Sequence, residues 1–483
     1  MGEISNSSNN PIIVDLDGTL IRSDILIESI NLLIVKSPLH LFGLIKNLFL
    51  PREKMKSWLA EKLMPDVSQL PYNIELLEWL IQEKNKGRVL ILATATHMNV
   101  AKVIADHLGI FSEVLATDAG RNLKAESKRD EIITRFGESK FEYVGNEYSD
   151  MPVWKAANVA HIVSDNKSLI SKVQKVCETG LTFKQSKKSV FTTWLSALRI
   201  HQWAKNLLVF VPLLTGHAYN SSVSVSQAVI AFLLFGIAAS SIYLINDLFD
   251  IEADRHHPTK KNRPIANGEI NLFHAWLVWP SMLTLSVVLA IYALPIAFVI
   301  VLVGYIILTL TYTVLFKKWV FFDVLVLAIL YCVRIVGGAF AVSLTISFWL
   351  LLFSMFVFLS LALMKRFGEL KATNTNDTQK RLLGRGYLLE DLEAIGSMGI
   401  CAGYISVLVL ALYLQDPQII KLYEVPQQLW VMCPLMLFWI SRAWLLTNRG
   451  LMNDDPIVFA LRDRISWIVG FAMVAVMLSA RGF

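Results

Sequence analysis

From about residue 190 onward the chain is a succession of apolar runs, each close to the length that crosses a hydrocarbon core. Such a chain is confined to folds that satisfy every backbone polar group internally, which in lipid means packed helices here. A window of about 20 apolar residues predicts about nine spans, near 203–221, 225–246, 273–292, 295–316, 320–341, 346–364, 395–415, 427–447 and 464–481. Only 17% of the 483 residues are charged, against about 25% in soluble domains. That deficit excludes a wholly soluble enzyme and a disordered interaction protein. The cysteines, Cys177, Cys332, Cys401 and Cys433, are scattered and form no CxxC pair, so neither a disulfide framework nor a zinc site is expected.

Lysines and arginines crowd into alternate loops: Arg255 to Arg263, Lys317 and Lys318, Lys365 to Lys371, Lys380 to Arg385, Arg442, Arg449, Arg462 and Arg464. The opposite side holds Lys421 and Arg481. The bias predicts an integral protein of the cell (inner) membrane with these loops in the cytoplasm and the C-terminus outside. The start, MGEISNSSNN, has neither the basic nor the apolar region of a secretory signal, so the first domain is expected on the cytoplasmic side. Topology and phosphate sites account for the net charge of +6, and no nucleic-acid partner is implied. Nothing in the sequence speaks for or against self-association.

Residues 11 to 180 mix charged and apolar stretches as soluble α/β proteins do. The expected organisation is a soluble domain over 1–182, a linker over 183–194 and a membrane domain over 195–483. The first domain opens with the run Pro11-Ile-Ile-Val-Asp-Leu-Asp-Gly-Thr-Leu20, in which Asp15 and Asp17 alternate at the end of an apolar strand and so face one cleft. A second strand, Val89 to Ala93, ends at Thr94; a basic segment holds Lys124 and Lys128; a further strand, Phe141 to Val144, ends in Gly-Asn-Glu-Tyr-Ser-Asp150. Strand ends converging on carboxylates suit a hard cation, while Thr and Lys suit a phosphoryl group. Residues 25–50 add a leucine-rich basic stretch in which Leu41, Leu44, Ile45 and Leu48 share a helical face, read either as a cap helix lying on the membrane or as buried cap core.

This order resembles the haloacid dehalogenase-like phosphatases, over most of residues 11–165. The resemblance implies a Rossmann-like α/β fold with a small helical cap, Asp15 as nucleophile, Asp17 as general acid/base, Thr94 and Lys128 as phosphate binders, and Mg²⁺ held with Asp150. Lys128 has better spacing than Lys124 for the lysine role. Asn146 stands where the family usually has Asp, which removes a negative charge beside the metal, and Glu147 follows it. An active phosphatase and a degenerate domain retained for assembly are both open.

The membrane half carries Asn246-Asp-Leu-Phe-Asp-Ile-Glu-Ala-Asp254 at the end of the second expected span. On one helix, Asp247, Asp250 and Asp254 share a face, and three carboxylates there repel one another unless a cation binds between them. Mg²⁺ bridging to a pyrophosphate resolves the repulsion. Lys260, Lys261 and Arg263 follow in a basic segment that ends Arg-Pro-Ile-Ala-Asn-Gly268 and suits phosphate oxygens.

This NDxxDxxxD pattern before RPI resembles the UbiA superfamily of intramembrane prenyltransferases, over residues 195–483, an all-α polytopic fold. That family usually carries a second acidic motif after a later span. Here the sequence reads Lys365-Arg-Phe-Gly-Glu-Leu370, two cations and Glu369. Together with Arg199-Ile-His-Gln-Trp-Ala-Lys-Asn206, it resembles the branch typified by decaprenyl-phosphate phosphoribosyltransferase. The resemblance implies transfer of 5-phosphoribose from phosphoribosyl pyrophosphate to a polyprenyl phosphate. Asp247, Asp250 and Asp254 would hold Mg²⁺-pyrophosphate with Asn246, and Lys205, Lys365 and Arg366 would be available for the other phosphates. The fused phosphatase would remove the 5-phosphate. An aromatic prenyltransferase acting on a 4-hydroxybenzoate-like or quinone precursor, and a non-catalytic membrane scaffold, are the competing readings. Arg334, inside the fifth span, is a further candidate.

Overall fold

The computed structural model describes residues 10–37, 40, 43–44, 52–118, 122–185, 189–372, 385–421, 423–452 and 455–481. The chain divides into two units, one of Met1–Leu198 with Tyr243–Trp279, the other of Arg199–Ile242 with Pro280–Phe483. The acidic segment around Asp247 thus belongs to the same unit as the N-terminal sheet.

In the first unit, six strands form one parallel sheet: β1 (Ile12–Val14), β2 (Leu90–His97), β3 (Glu113–Thr117), β4 (Glu142–Gly145), β5 (Val159–Val163) and β6 (Glu178–Phe183), in the order β3-β2-β1-β4-β5-β6. The apolar runs of β1 and β2 are buried on both faces, as a sheet covered by helices on each side requires. Val14, Leu92 and Val144 lie in one core, Ile13, Ile91 and Tyr143 in the other. Strand order reverses between β1 and β4, and the crevice beyond their carboxyl ends is where α/β sheets bind ligands. Strand β2 runs four residues beyond Ala93, the expected end, to His97, with a register shift against β3 between those two residues.

Helix α1 (Ile25–Lys36) follows β1, with the Asp24 side chain accepting from the amides of Leu26 and Ile27 at its N-terminus. Of the leucine-rich cap stretch, Leu41, Ile45 and Leu48 lie outside the described residues. Leu44 is buried against Leu33, Met55 and Leu59, which favours cap core for that position.

The expectation of nine spans is corrected. Among the described residues, seven helices are long and apolar enough to cross a membrane, or eight if Pro456–Arg462 and Arg464–Ala480, bent by 83°, count as one. The seven are Ser222–Phe249, Leu272–Ala293, Ile296–Val314, Phe322–Ala341, Phe348–Lys371, Leu389–Leu414 and Pro426–Asn448. The run 203–221 forms instead a 3₁₀ stretch, Ile200–Phe210, a short helix, Val211–Thr215, and a turn, Ala218–Asn220. Pro212, which lacks an N–H, and left-handed His217 (φ 53°) prevent a continuous ladder there. Lys380 and Arg381 lie outside the described residues. Many apolar side chains on these helices face outward, among them Leu277, Val288, Ile296, Ile300 and Ile307, a surface suited to lipid and not to water. The protein is an integral membrane protein.

Two buried arginines tie the second unit together. Arg366 donates from Nε to Asp323 (2.6 Å) and from Nη1 to Glu369, and Asp323 also accepts from the Tyr387 hydroxyl at 2.5 Å. Breaking a buried ion pair of this kind by removing one partner costs about 3–5 kcal/mol. Arg334 donates to Asn206 (2.9 Å), to the Tyr305 hydroxyl (2.9 Å) and to the Leu330 carbonyl.

Candidate functional sites

In the first unit, the soluble-domain residues singled out by sequence converge at the strand ends. Lys128 Nζ donates to Asp15 Oδ1 at 2.6 Å and lies 3.9 Å from Asp150 Oδ1; both side chains are nearly sealed from solvent. Lys124 is exposed, so Lys128 is the lysine that reaches the site. Thr94 donates to Asp17 Oδ2 at 3.4 Å, and Thr96 donates to the same oxygen at 2.8 Å. Asp150 accepts from the Tyr143 hydroxyl (2.7 Å) and from the amides of Asn146 (3.0 Å) and Glu147 (3.2 Å), which fixes the turn after β4. Asn146 accepts from Thr19 at 3.1 Å, while Glu147 is exposed and accepts from Ser149. Gly18 adopts φ 74°, and an added Cβ would stand 2.2 Å from the Asn146 amide nitrogen, so this turn admits no side chain.

Burial pushes the Asp15 carboxyl up to about 7, against the pull of Lys128, and pushes Asp17 up to about 6, with Asp24 adding to it. Among the described residues, no three Asp, Glu, His or Cys side chains already stand together as a metal cage. Two buried carboxyls held above their ordinary range are nonetheless the donor set that a hard cation relieves. A pH dependence follows. Without metal the folded chain holds these protons while the unfolded chain, titrating near 3.9, does not. Their contribution to stability is full below about pH 4 and lost as pH rises through about 6 to 7. We expect the melting temperature in EDTA to fall between pH 5 and 7.5, and Mg²⁺ to remove most of that fall; a flat profile in EDTA contradicts the assignment.

The second candidate site is the acidic helix end. The helix Ser222–Phe249 stops at Asp250, and a short helix, Ile251–His256, resumes, so the three aspartates are not on one unbroken helix. Asp247 and Asp254 still meet, because Arg263 Nη1 donates to both, at 3.2 and 2.5 Å. Both carboxylates are buried, each 3% exposed, while Asp250 is half-buried. Burial raises the Asp254 carboxyl, which Arg263 counteracts. Asn246 Oδ1 is buried with no hydrogen-bond partner among the described residues. An orphaned oxygen one residue before Asp247, together with two carboxylates that already share a guanidinium, fits a divalent ion. Lys260 and Lys261 are exposed on the loop beyond.

In the second unit, Lys205 and Lys365 line one cavity with Tyr331, Leu361 and Asp455. Both ammonium groups donate to the same oxygen, Asp455 Oδ2, at 2.8 and 3.1 Å. Burial raises the Asp455 carboxyl, and the two ammoniums more than reverse this and hold it below the usual range. Arg366 lies apart from this pair, its charge met by Asp323 and Glu369.

Asp455 is absent from the sequence-derived set. Its signal was an Asp before Pro456, the signature of a helix N-cap, and its side chain accepts from the Ile457 amide at 3.2 Å. Thr96 is absent too, although alternation along β2 puts it on the face of Thr94.

Residues 209–374 match the model of the UbiA prenyltransferase family. The protein y4nM of Sinorhizobium fredii is 37% identical over 473 residues, covering 97% of this chain and 91% of that one. The nodulation protein NoeC of Azorhizobium caulinodans is 35% identical over 60% of this chain and 94% of its own length. Decaprenyl-phosphate phosphoribosyltransferase of Mycobacterium tuberculosis is 29% identical over 60% of this chain and 94% of its own. The matched segment contains the acidic helix end and Lys365-Arg366. The chain belongs to the UbiA prenyltransferase family.

Proposed function

We propose that the membrane domain transfers 5-phosphoribose from phosphoribosyl pyrophosphate to a polyprenyl phosphate, and that the N-terminal domain, a haloacid dehalogenase-like phosphatase, then removes the 5-phosphate. The observation that carries this reading is the convergence of Lys205 and Lys365 on one oxygen of Asp455. A pair of ammoniums around an anionic oxygen suits a phosphate monoester, where an aromatic prenyltransferase needs a second carboxylate pair for its single pyrophosphate. The name of the mycobacterial relatives agrees with it.

In the transfer, the bond from ribose C1 to the pyrophosphate oxygen breaks and a bond from C1 to the lipid phosphate oxygen forms. Asp247, Asp250 and Asp254, with Asn246, would hold Mg²⁺, which when bound neutralises the departing pyrophosphate. Arg263 would turn from Asp247 and Asp254 to the pyrophosphate oxygens, with Lys260 and Lys261 beside it. In the second step, Asp15 attacks phosphorus and the ribose 5-oxygen leaves with a proton from Asp17. Asp17 then takes a proton from the water that hydrolyses the aspartyl phosphate. Asp17, pushed up to about 6, is suited to both transfers. Lys128, with Thr94 and Thr96, would hold the phosphoryl oxygens, and Mg²⁺ would sit with Asp15, Asp17 and Asp150. The membrane domain would span the inner membrane with its C-terminus outside, and the N-terminal domain would lie in the cytoplasm, on the side of the basic loops.

Pyrophosphate release by the purified full chain tests the first step: it should require phosphoribosyl pyrophosphate and polyprenyl phosphate together. Release with polyprenyl pyrophosphate and 4-hydroxybenzoate instead contradicts the proposal. Lys205→Met and Lys365→Met should each raise KM for one phosphorylated substrate about 10- to 100-fold, since a charge-assisted hydrogen bond contributes about 1.5–3 kcal/mol. Unchanged KM values for both substrates contradict the cavity assignment.

A further inference from the structure

Within the first unit, one helix of the soluble domain grips the acidic helix end on both sides of its break. The break lies at Asp250 (φ −95°, ψ 10°), with Asp247 before it and Asp254 after it. A continuous ladder does not set the distance between these two carboxylates; Arg263 clasps both, and the backbone that carries them is held from the side as well. Asn31 of α1 is 1% exposed, and its Nδ2 donates to the Leu248 carbonyl, just before the break, at 3.0 Å. Its Oδ1 accepts from Trp276 Nε1 at 3.0 Å. One turn earlier on α1, Glu28 receives Arg255, near the end of the short helix after the break, in a two-pronged pair at 2.6 and 3.2 Å. Residues three apart lie on one helix face, so Glu28 and Asn31 form a single two-point grip.

Arg255 also donates from Nε to the Ala266 carbonyl at 2.9 Å, tying in the segment that carries Arg263. Gly268 of that segment approaches the soluble domain so closely that an added Cβ would lie 2.8 Å from Arg22 Cβ. The charge arrangement matters as much as the grip. Arg255 adjoins Asp254 in sequence, and a loose guanidinium there competes with any cation for that carboxylate. Glu28 fixes it with side chains only 8% and 4% exposed. The same helix starts at the other site, where the Ile25 amide donates to Asp17 Oδ1 at 2.8 Å.

We propose that α1 of the N-terminal domain is a splint for the membrane transferase's acidic site, with Glu28 and Asn31 as positioning residues that hold Asp247 and Asp254 in register. The soluble domain is then part of the transferase as well as the enzyme for the following step. This rests on the reading of Asp247 and Asp254 as a cation site.

Hydrogen–deuterium exchange on the full chain in lipid nanodiscs, titrated with Mg²⁺, tests it. The variants are Glu28→Gln, Asn31→Leu and the double change Glu28→Gln with Arg255→Gln; Lys36→Ala, which removes the half-exposed pair to Glu252 (2.7 Å), is the control. Glu28→Gln and Asn31→Leu should speed exchange over 250–256 at least tenfold without Mg²⁺ and raise the Mg²⁺ concentration needed for protection at least fivefold. The transferase kcat should fall about tenfold, and the double change should recover much of the Mg²⁺ shift. Lys36→Ala should match wild type. Wild-type exchange over 250–256 in both single variants overturns the splint, as does a lower melting temperature with Mg²⁺ protection and kcat unchanged. If the wild type shows no Mg²⁺ protection at all, the cation reading has failed, while the metal-free exchange rates still decide the splint.

Discussion

Asp247→Ala should abolish ribosylated lipid, lowering turnover by at least about 10²–10³-fold, the cost of removing one group that stabilises developing charge in a buried site. Asp247 is 3% exposed and shares Arg263 with Asp254. Its loss leaves the half-buried Arg263 guanidinium with half its counter-charge and the orphaned Asn246 oxygen with a poorer cation site. The variant should fold, because alanine suits a helix and Arg263 keeps Asp254. Radiolabelled phosphoribosyl pyrophosphate, extracted into the lipid phase, measures the loss, and a melting temperature within a few degrees of wild type shows that the fold survives. Turnover above one-tenth of wild type contradicts the role of this carboxylate.

Asp15→Asn acts on the other step. The amide keeps the shape of the carboxylate and the contact with Thr19 but is no nucleophile. Lipid should still be ribosylated, and the product should retain its 5-phosphate, with phosphate release down by about 10³-fold or more. The change also removes the carboxyl pushed up to about 7, so most of the loss of stability between pH 5 and 7.5 in EDTA should vanish with it. Release of phosphate at the wild-type rate contradicts the assignment of Asp15.

The soluble site was legible because its residues sit at strand ends, and a parallel sheet brings strand ends together whatever the loops between them do. Asp15, Asp17 and Asp150, which follow strands, meet Thr94 of β2 for that reason, and Lys128 reaches them from the helix Glu126–Phe136. Thr96 needed the true length of β2, and the continuous apolar run alone stopped that strand at Ala93. The acidic helix end was legible as a spacing, yet the break at Asp250 was not, since no Pro or Gly marks it. The first expected span failed because apolar content was counted across Pro212 and His217, where the backbone leaves the helix. Asp455 meets Lys205 across 250 positions of sequence, a pairing that only packing decides. The grip of Glu28 and Asn31 on Arg255 and Leu248 is equally nonlocal.

Mass spectrometry of the lipids made by the purified full chain from Mg²⁺, a polyprenyl phosphate and phosphoribosyl pyrophosphate tests the central claim most directly. The account predicts a polyprenyl-phosphoryl ribose without its 5-phosphate from wild type, the same lipid with its 5-phosphate from Asp15→Asn, and neither from Asp247→Ala. A chain that leaves the lipid phosphate unmodified and alkylates 4-hydroxybenzoate from a polyprenyl pyrophosphate would contradict it.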